Sequence, residues 1–273
     1  MTLHINKDTR LCMSLSGRPG NFGTRFHNYL YQAMELDYLY KAFTTDDLPA
    51  AIGGIRALGV RGCAVSMPFK EACIPCLDGL HESAATLQSV NTIVADAGRL
   101  TGYNTDYSAV VKLLAQHDVP RDIPYALRGS GGMAKAVGCA LRDSGFANGC
   151  IVARNAHTGR ALADVCGVDW CESLDAQPAG LLVNVTPLGM RGEQAEQLAF
   201  DEAAVEAAQW IFDVVAVPVE TPLIRLARAL GKPVITGGEV IVLQALEQFV
   251  LYTGVRPDGE LVERAARFAL SEN

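Results

Sequence analysis

The sequence predicts an α/β protein of two domains. Helical and extended patterns alternate along the chain, as they do in proteins that place helices against a largely parallel sheet. Residues 125–154 have the order strand, glycine turn, helix and strand, which is the layout of a βαβ unit. The length of 273 residues exceeds the usual size of one domain, so a second domain is expected.

The elements of the first domain follow from local patterns. Apolar residues recur at helical spacing in residues 26–35 and 46–58, and residues 62–66 form a short apolar run typical of a buried strand. Residues 90–94 and 100–103 flank Asp96-Ala97-Gly98, whose aspartate and glycine suit a tight turn, and they predict a β-hairpin.

The second domain is expected to begin after a helix at residues 108–116 and the polar, proline-bearing stretch 117–124. Beyond the βαβ unit, residues 180–185 and 210–214 predict further parallel strands. Two helices, at residues 240–252 and 259–270, close the chain. We therefore expect a domain made of residues 1–106 and 240–273, and a second domain at residues 107–239.

The composition is that of an ordinary globular protein with an acidic balance. A net charge of -7 gives no chain-wide positive field for a nucleic acid or an anionic membrane. No signal-peptide pattern and no apolar stretch of membrane-spanning length is found, so a cytoplasmic location is expected. Eight scattered cysteines are expected to be reduced, and the Cys73-Ile-Pro-Cys76 pair, which lacks a second pair or a nearby histidine, predicts no metal site.

A glycine-rich turn between a predicted strand and a predicted helix indicates dinucleotide binding. It fits the pattern G-x-G-x-x-G/A, in which glycines let the backbone approach a pyrophosphate and the helix N-terminus supplies partial positive charge. Its residues are Gly129, Ser130, Gly131, Gly132, Met133 and Ala134. A turn that serves packing alone is the alternative.

The end of the next strand favours NADP over NAD. NAD-binding domains usually carry an acid there for the ribose 2′-hydroxyl, whereas this chain has Ala153-Arg154-Asn155. A guanidinium pairs well with a 2′-phosphate. Arg154 is therefore the candidate for selecting NADP, and NAD remains the alternative.

Three polar segments at predicted strand ends indicate a ligand site, because strand ends in open α/β sheets face the ligand crevice. They begin at Ser66, Ser89 and Tyr103 and run to Lys70, Thr92 and Asp106. A lysine tuned by a nearby carboxylate can supply the proton that ketone reduction requires, so Lys70 and Asp106 are candidates for acid–base catalysis. The alternative is a solvated surface lysine and an aspartate that caps the helix at residues 108–116.

Taken together, these motifs resemble the shikimate dehydrogenase family, and their order matches from about residue 14 to residue 254. The family's N-V-T-x-P-F-K corresponds to Ala64-Val65-Ser66-Met67-Pro68-Phe69-Lys70. Its V-N-T corresponds to Val90-Asn91-Thr92, and its N-T-D to Asn104-Thr105-Asp106. The glycine turn, the segment from Asn184 through Thr186 to Met190, and the late Gly237 and Gln244 follow in the same order.

The resemblance implies a Rossmann-type cofactor domain, C-terminal helices that return to the substrate domain, and reversible hydride transfer between NADP and the C3 position of shikimate or 3-dehydroshikimate. A place in aromatic amino acid biosynthesis goes with it. Lys70 and Asp106 would be the catalytic pair. The substrate-binding residues would be Ser66, Asn91 and Gln244. The cofactor would contact the glycine turn, Arg154, Thr186, Val214 and Gly237.

The chain also departs from the family pattern. The N-terminal S-x-S-P-x-x-H-N keeps only His27-Asn28, after an unusual glycine-rich run that starts at Ser14. Ser16 and Asn21 are candidates to replace the carboxylate-binding serines, with Arg18 able to pair with a carboxylate. A glycine-rich loop with a structural role alone is the alternative. Alanine, Ala216, stands where the family has a tyrosine shortly after Asp213. These changes make the chain similar to the divergent shikimate dehydrogenase-like branch.

The expected function is thus that of an NADP-dependent oxidoreductase acting on shikimate or a close analogue, as a monomer or homodimer. The expected partner is a small cyclic hydroxy acid. A dehydrogenase for quinate or an amino-substituted analogue is one alternative. A non-catalytic NADP or metabolite sensor is another, against which the presence of both Lys70 and Asp106 argues.

Overall fold

The computed structural model describes residues 5–174 and 179–271. It confirms the α/β class, with two six-stranded sheets. The chain divides into two compact units, residues 1–105 with 242–273 (unit 1) and residues 106–241 (unit 2). The sequence places these boundaries at 106/107 and 239/240.

The first part of unit 1 is a mixed sheet with helices between its strands. Its elements are β1 (Arg10–Leu15), α1 (Phe22–Ala33), β2 (Tyr38–Phe43), α2 (Leu48–Ala57), β3 (Gly62–Val65), α3 (Phe69–Ala72), β4 (Gly79–Leu80), α4 (Glu82–Ala85), β5 (Thr92–Asp96) and β6 (Arg99–Tyr103). The strand order is β2-β1-β3-β5-β6-β4, and β3, β5 and β6 pair antiparallel. The predicted hairpin is confirmed, with positive φ at both turn residues, Ala97 and Gly98.

Unit 2 is a parallel sheet with helices. The chain enters it along α5 (Thr105–Gln116). Its further elements are β7 (Tyr125–Arg128), α6 (Gly132–Asp143), β8 (Gly149–Val152), α7 (Ala156–Cys166), β9 (Asp169–Cys171), β10 (Leu181–Asn184), α8 (Glu202–Ala207), β11 (Trp210–Asp213), α9 (Pro222–Ala229) and β12 (Val234–Ile235). Counted from β7, the strand order β9-β8-β7-β10-β11-β12 is 3-2-1-4-5-6, the Rossmann arrangement.

The chain then runs along α10 (Gly237–Thr253), whose later residues belong to unit 1, and ends with α11 (Gly259–Leu270). The predicted return of the C-terminal helices is confirmed, because α11 packs on α1. The Arg25 guanidinium donates to the Phe268 carbonyl oxygen at 2.6 Å, and it lies 4.0 Å from the centroid of the Phe268 ring.

Each unit has its own core. In unit 1 the buried side chains of Leu15, Ile52 and Ile93 pack together with their neighbours. In unit 2 the corresponding cluster includes Leu182 and Phe200. Burial of this apolar surface is the main stabilising contribution of both units.

Several predicted bounds are wrong by a turn. Helix α1 begins at Phe22 rather than residue 26, α5 at Thr105 rather than 108, and α10 at Gly237 rather than 240. The strands β1 and β2 carry no prediction from the sequence at all. By contrast, α11 has the predicted bounds, because the Asp258 side chain caps it by accepting from the Leu261 N–H at 2.7 Å.

Candidate functional site

Two of the candidate serines lie side by side at the carboxyl edge of the unit 1 sheet. Ser16 follows β1 and Ser66 follows β3, and these strands are parallel neighbours. The Ser66 N–H donates to the Leu15 carbonyl oxygen at 2.9 Å, and the Gly17 N–H donates to that of Met67 at 2.9 Å. These bonds extend the pairing beyond the strand ends and fix both loops at one edge.

Asn91 precedes β5 at the same edge and is bonded within the protein. Its side-chain Oδ1 accepts from the Thr105 N–H at 2.8 Å and from the Thr92 hydroxyl at 2.8 Å, while Nδ2 donates to Thr105 Oγ1 at 3.0 Å. Asn91 is 3% exposed. The predicted substrate ligand therefore also holds Thr105, the residue directly before Asp106.

The backbone of Lys70 is hydrogen-bonded to Val90, the residue before Asn91. Lys70 lies on the short helix α3, and its backbone carbonyl oxygen accepts from the Val90 N–H at 2.8 Å. Val90 thus bonds the backbone of Lys70, and its neighbour Asn91 bonds Thr105. The Lys70 side chain is half-buried.

Asp106 lies in the first turn of α5 and is 3% exposed. The alternative that it caps a helix starting at residue 108 is wrong, because the helix already begins at Thr105. A carboxylate in the first turn of a helix is stabilised by the aligned peptide dipoles.

Gln244 lies on α10 one turn before a second amide, Gln248. The Gln248 side chain is 5% exposed and donates to the Thr92 hydroxyl at 3.1 Å and the Asn91 carbonyl oxygen at 3.4 Å. Residues four apart share a helix face, so Gln244 lies on the face that α10 turns toward β5. Gln244 is half-buried and makes no side-chain hydrogen bond to a described residue.

The loop between β1 and α1 places the two replacement candidates differently. The Ser16 hydroxyl accepts from the Arg18 N–H at 3.1 Å. Asn21 is exposed at the N-cap position of α1, with no side-chain capping bond. The exposed Arg18 side chain has no hydrogen bond or ion pair with a described residue.

The retained His27-Asn28 motif is structural in unit 1. The Asn28 side chain exchanges two 2.8 Å hydrogen bonds with the backbone of Tyr40 in β2. His27 is fully buried and stacks on the Tyr40 ring at 4.5 Å. Burial lowers the pKa of His27 to about 3, so the imidazole is neutral near pH 7.

In unit 2, the predicted glycine turn lies between β7 and α6. Gly129 has φ +131°, and a Cβ there would lie 2.8 Å from Val185 Cγ2. Only glycine fits both conditions. At Gly131 and Gly132 a Cβ would meet no atom within 4 Å, so the space before the first turn of α6 is open. The turn's geometry fits a pyrophosphate group, as the sequence pattern predicts.

The remaining residues of this turn and the end of β8 lie at the carboxyl edge of the parallel sheet. The Ser130 and Thr158 hydroxyl oxygens are 2.8 Å apart, which connects the turn to α7. Met133 and Ala134 lie in the first turn of α6, and Ala134 is buried. Arg154 follows β8, is exposed, and has no hydrogen bond or ion pair with a described residue.

Thr186 belongs to a buried polar network at the ends of β10 and β11. The Asn184 Oδ1 accepts from the Thr186 hydroxyl at 2.7 Å, and Asn184 Nδ2 donates to Asp213 at 2.9 Å. Asp213 also accepts from the Thr221 hydroxyl at 2.7 Å and the Val215 N–H at 3.0 Å. Burial raises the pKa of Asp213 to about 6, and the hydrogen bonds that this carboxyl group accepts offset only part of that shift.

The structure brings Val214 and Gly237 together. A Cβ on Gly237 would lie 2.2 Å from the Val215 carbonyl oxygen and 2.5 Å from that of Val214. The start of α10 therefore depends on glycine for a close backbone approach to the end of β11.

Neither Gln248 nor the Asp213 network carries a prediction from the sequence. The spacing of four between Gln244 and Gln248 was a usable signal for the first. No local pattern predicts the Asp213 network, since Asn184, Asp213 and Thr221 are far apart in the chain.

None of the eight cysteines is in a disulfide. Within the described residues, no group of histidine, cysteine and acidic side chains could hold a metal ion. Burial raises the pKa of the Cys73 thiol to about 12, which disfavours the thiolate that metal binding needs. In the same part of the chain, no helix is both long enough and apolar enough to span a bilayer.

Comparison with known proteins identifies the family. Residues 22–93 match the shikimate dehydrogenase substrate binding domain. A shikimate dehydrogenase-like protein of Haemophilus influenzae is 58% identical over 266 residues, which cover 97% of this chain and 98% of the relative. The chain belongs to the shikimate dehydrogenase family, in its divergent shikimate dehydrogenase-like branch, and is by family a dehydrogenase.

Solved structures agree with this placement. A shikimate 5-dehydrogenase-like protein superposes with a TM-score of 0.94 at 57% identity, covering 97% of this chain and 99% of that one. Shikimate 5-dehydrogenase of Thermus thermophilus, in complex with NADP(H) and shikimate, gives 0.86 at 30% identity, with 96% and 100% covered. Quinate dehydrogenase of Corynebacterium glutamicum, in complex with NAD, gives 0.88 at 29% identity, with 96% and 99% covered.

Proposed function

We propose that this chain reversibly reduces 3-dehydroshikimate to shikimate, or acts on a closely related cyclic hydroxy acid, with NADP as its cofactor. Lys70 and Asp106 are the proposed catalytic pair. The cytoplasmic location expected from the sequence is part of this proposal. The assignment joins family membership to the arrangement of polar residues in the two units.

One observation in unit 1 carries the proposal. Val90 bonds the backbone of Lys70, and Asn91 bonds Thr105, the chain neighbour of Asp106. A pair of acid–base residues needs such fixed backbone anchors, because proton transfer requires hydrogen-bond distance to the reacting oxygen. Two candidates 36 positions apart in the sequence are thus anchored to consecutive residues.

The polar groups at the carboxyl edge of the unit 1 sheet suit a substrate with several hydroxyls and one carboxylate. Ser16 and Ser66 supply hydroxyls, Gln244 supplies an unbonded amide, and Asn21 is exposed on the adjoining loop. In this proposal Lys70 donates a proton to the alkoxide that forms as the ketone is reduced, and Asp106 is the carboxylate of the catalytic pair.

The residues of unit 2 fit a dinucleotide. The open space at Gly131 and Gly132 suits the pyrophosphate, and the exposed Arg154 suits a ribose 2′-phosphate. Thr186, Val214 and Gly237 lie at the same carboxyl edge and would hold the nicotinamide end. When bound, the cofactor supplies or accepts the hydride, and the protein contributes position and orientation.

The identity of the cyclic acid is the finer part of the proposal. Ala216 stands where the family pattern has a tyrosine, so the hydroxyl of that tyrosine is absent. Quinate dehydrogenase of Corynebacterium glutamicum is comparably similar in structure, so quinate is the second candidate substrate. An amino-substituted shikimate would satisfy the same polar groups.

Steady-state assays of the purified chain test the proposal. Shikimate, quinate and an amino-substituted analogue are each offered with NADP and with NAD, and nicotinamide reduction is followed by absorbance. Turnover of shikimate with NADP above the other combinations is the expected result. A protein that binds NADP yet turns over none of the acids would instead be a sensor, and preferred turnover of quinate would replace the substrate.

A further inference from the structure

Arg128 ends the first strand of the unit 2 sheet, directly before the glycine turn. In the parallel pairing it lies beside Val152 of β8 and Asn184 of β10. Arg154 is two residues beyond Val152. The two arginines therefore come from adjacent strands at the carboxyl edge of the sheet, where ligands of such sheets bind.

The Arg128 side chain is held in place by uncharged groups. Its guanidinium donates to the Ala199 carbonyl oxygen and lies 5.9 Å from the centroid of the Phe200 ring. A planar guanidinium fixed in this way keeps other N–H groups for a further acceptor.

Neither Arg128 nor Arg154 forms an ion pair with a described residue, and Asp201, the acid that acts on Arg128 electrostatically, caps α8 by accepting from the Ala204 N–H at 2.7 Å. Burial, followed by the positive charge of Arg154, lowers the pKa of Arg128. A half-buried arginine beside a second one is costly unless an anion joins them.

We propose that Arg128 and Arg154 together bind the ribose 2′-phosphate of NADP, so that Arg128 is a second residue that selects NADP over NAD. The inference rests on the proposed cofactor use. A dianionic phosphate matches two guanidinium groups in charge and in hydrogen-bond geometry. The ribose 2′-hydroxyl of NAD offers no charge to this pair.

Binding of four probes to the purified full chain tests the proposal without any turnover. Calorimetry gives dissociation constants for NADP, NAD, adenosine 2′,5′-bisphosphate and adenosine 5′-monophosphate. The variants are Arg128→Met and Arg154→Ala. The control, Arg121→Met, removes an exposed positive charge four residues before β7, at the opposite edge of the same sheet.

Arg128→Met is expected to weaken NADP and the 2′,5′-bisphosphate about tenfold or more, the usual size of a lost charge-assisted contact, with NAD and the monophosphate changed less than about twofold. Arg154→Ala is expected to act in the same direction, and Arg121→Met to leave all four constants near wild type. Equal losses for the probes with and without a 2′-phosphate would place Arg128 at the 5′-phosphate side of the cofactor and overturn the inference. Unchanged binding by Arg128→Met would overturn it as well.

A wild-type chain that binds neither NADP nor NAD would contradict both the proposed function and this inference. If the wild type binds both cofactors and Arg128→Met leaves their dissociation constants unchanged, only the inference is contradicted. If Arg128→Met fails to fold by circular dichroism, Arg128→Lys serves instead. An ammonium group cannot reach the Ala199 carbonyl and a phosphate in the same fork geometry, so the ratio of NADP to NAD affinity should fall several-fold. An unchanged ratio would overturn the inference.

Discussion

Asn91 and Thr105 are joined through both polar atoms of the asparagine side chain. Its Nδ2 donates to the Thr105 hydroxyl oxygen, and its Oδ1 accepts from the Thr105 N–H that begins α5. Fourteen residues separate the two in the chain. Because a helix starts with N–H groups that lack intrahelical partners, this amide acts as a cap supplied from a distant strand end. Thr105, the residue before Asp106, is therefore held by the residue that directly precedes β5.

Replacement of Asn91 by leucine should lower both stability and turnover. The variant leaves the Thr105 N–H and the Thr92 hydroxyl buried without this acceptor, at a cost of about 2–4 kcal/mol in the free energy of unfolding. Urea unfolding measures that cost. Asn28→Leu is the control, since it also removes two hydrogen bonds of an amide but lies in the α1–β2 contact. Similar kcat in the two variants, assayed where both are folded, would contradict a positioning role for Asn91.

Lys70→Ala should lower kcat by at least roughly a hundredfold, as the removal of a general acid does, with little change in cofactor affinity. Steady-state kinetics and cofactor titration separate the two effects. Lys41→Ala, an exposed lysine on the edge strand β2, provides the matched control. Equal kcat for the Lys70 variant and the wild type would refute the catalytic assignment.

Asp213 should make the protein lose stability as the pH rises from acid to neutral, a loss that its uncharged analogue Asp213→Asn should not show. Burial raises its folded pKa from 3.8 to about 6, so the folded state keeps a proton that the unfolded chain has lost. This contribution is complete below about pH 4 and disappears as the pH rises through 6. Relative to Asp213→Asn, the wild type should lose roughly 2–3 kcal/mol in the free energy of unfolding between pH 4 and 7. Parallel pH profiles for the two proteins would disprove the buried titration.

Gly237→Ala should destabilise the protein by at least about 3 kcal/mol, or prevent folding, because the new Cβ overlaps backbone atoms that have no room to move. Gly259→Ala is the comparison, since it is the first residue of α11 and its Cβ would meet nothing within 4 Å. Thermal unfolding of the two variants measures the difference. Comparable thermal unfolding midpoints for the two variants would mean that the backbone after β11 moves to accommodate a side chain at residue 237.

Elements with local signals were predicted well. The βαβ unit combines a glycine turn with a helix of regular apolar spacing, and α11 has an aspartate cap, so short-range chemistry determines both. The strands β1 and β2 were missed because their apolar residues do not alternate with polar ones. Both strands lie against helices and become recognisable only in the assembled sheet.

The wrong helix starts have non-local causes. The first turn of α5 forms because the Asn91 side chain provides an acceptor, and that of α10 forms because Gly237 fits against the Val215 carbonyl. The glycines at the start of α10 predicted a break before the helix, whereas Gly237 permits close packing against the end of β11. Polar residues such as Lys70 could be proposed from motif order, but the bonds that anchor them involve backbone groups that no sequence pattern reveals.

Unit 1 is built from two stretches of the chain that unit 2 separates, and this order affects folding during synthesis. Its sheet strands leave the ribosome first, yet α11, which packs on α1, is translated only after all of unit 2. Unit 2 can close while it is being made, but α1 must wait with the face that α11 covers still exposed. Nascent chains stalled before residue 259 should therefore be the form that chaperones engage.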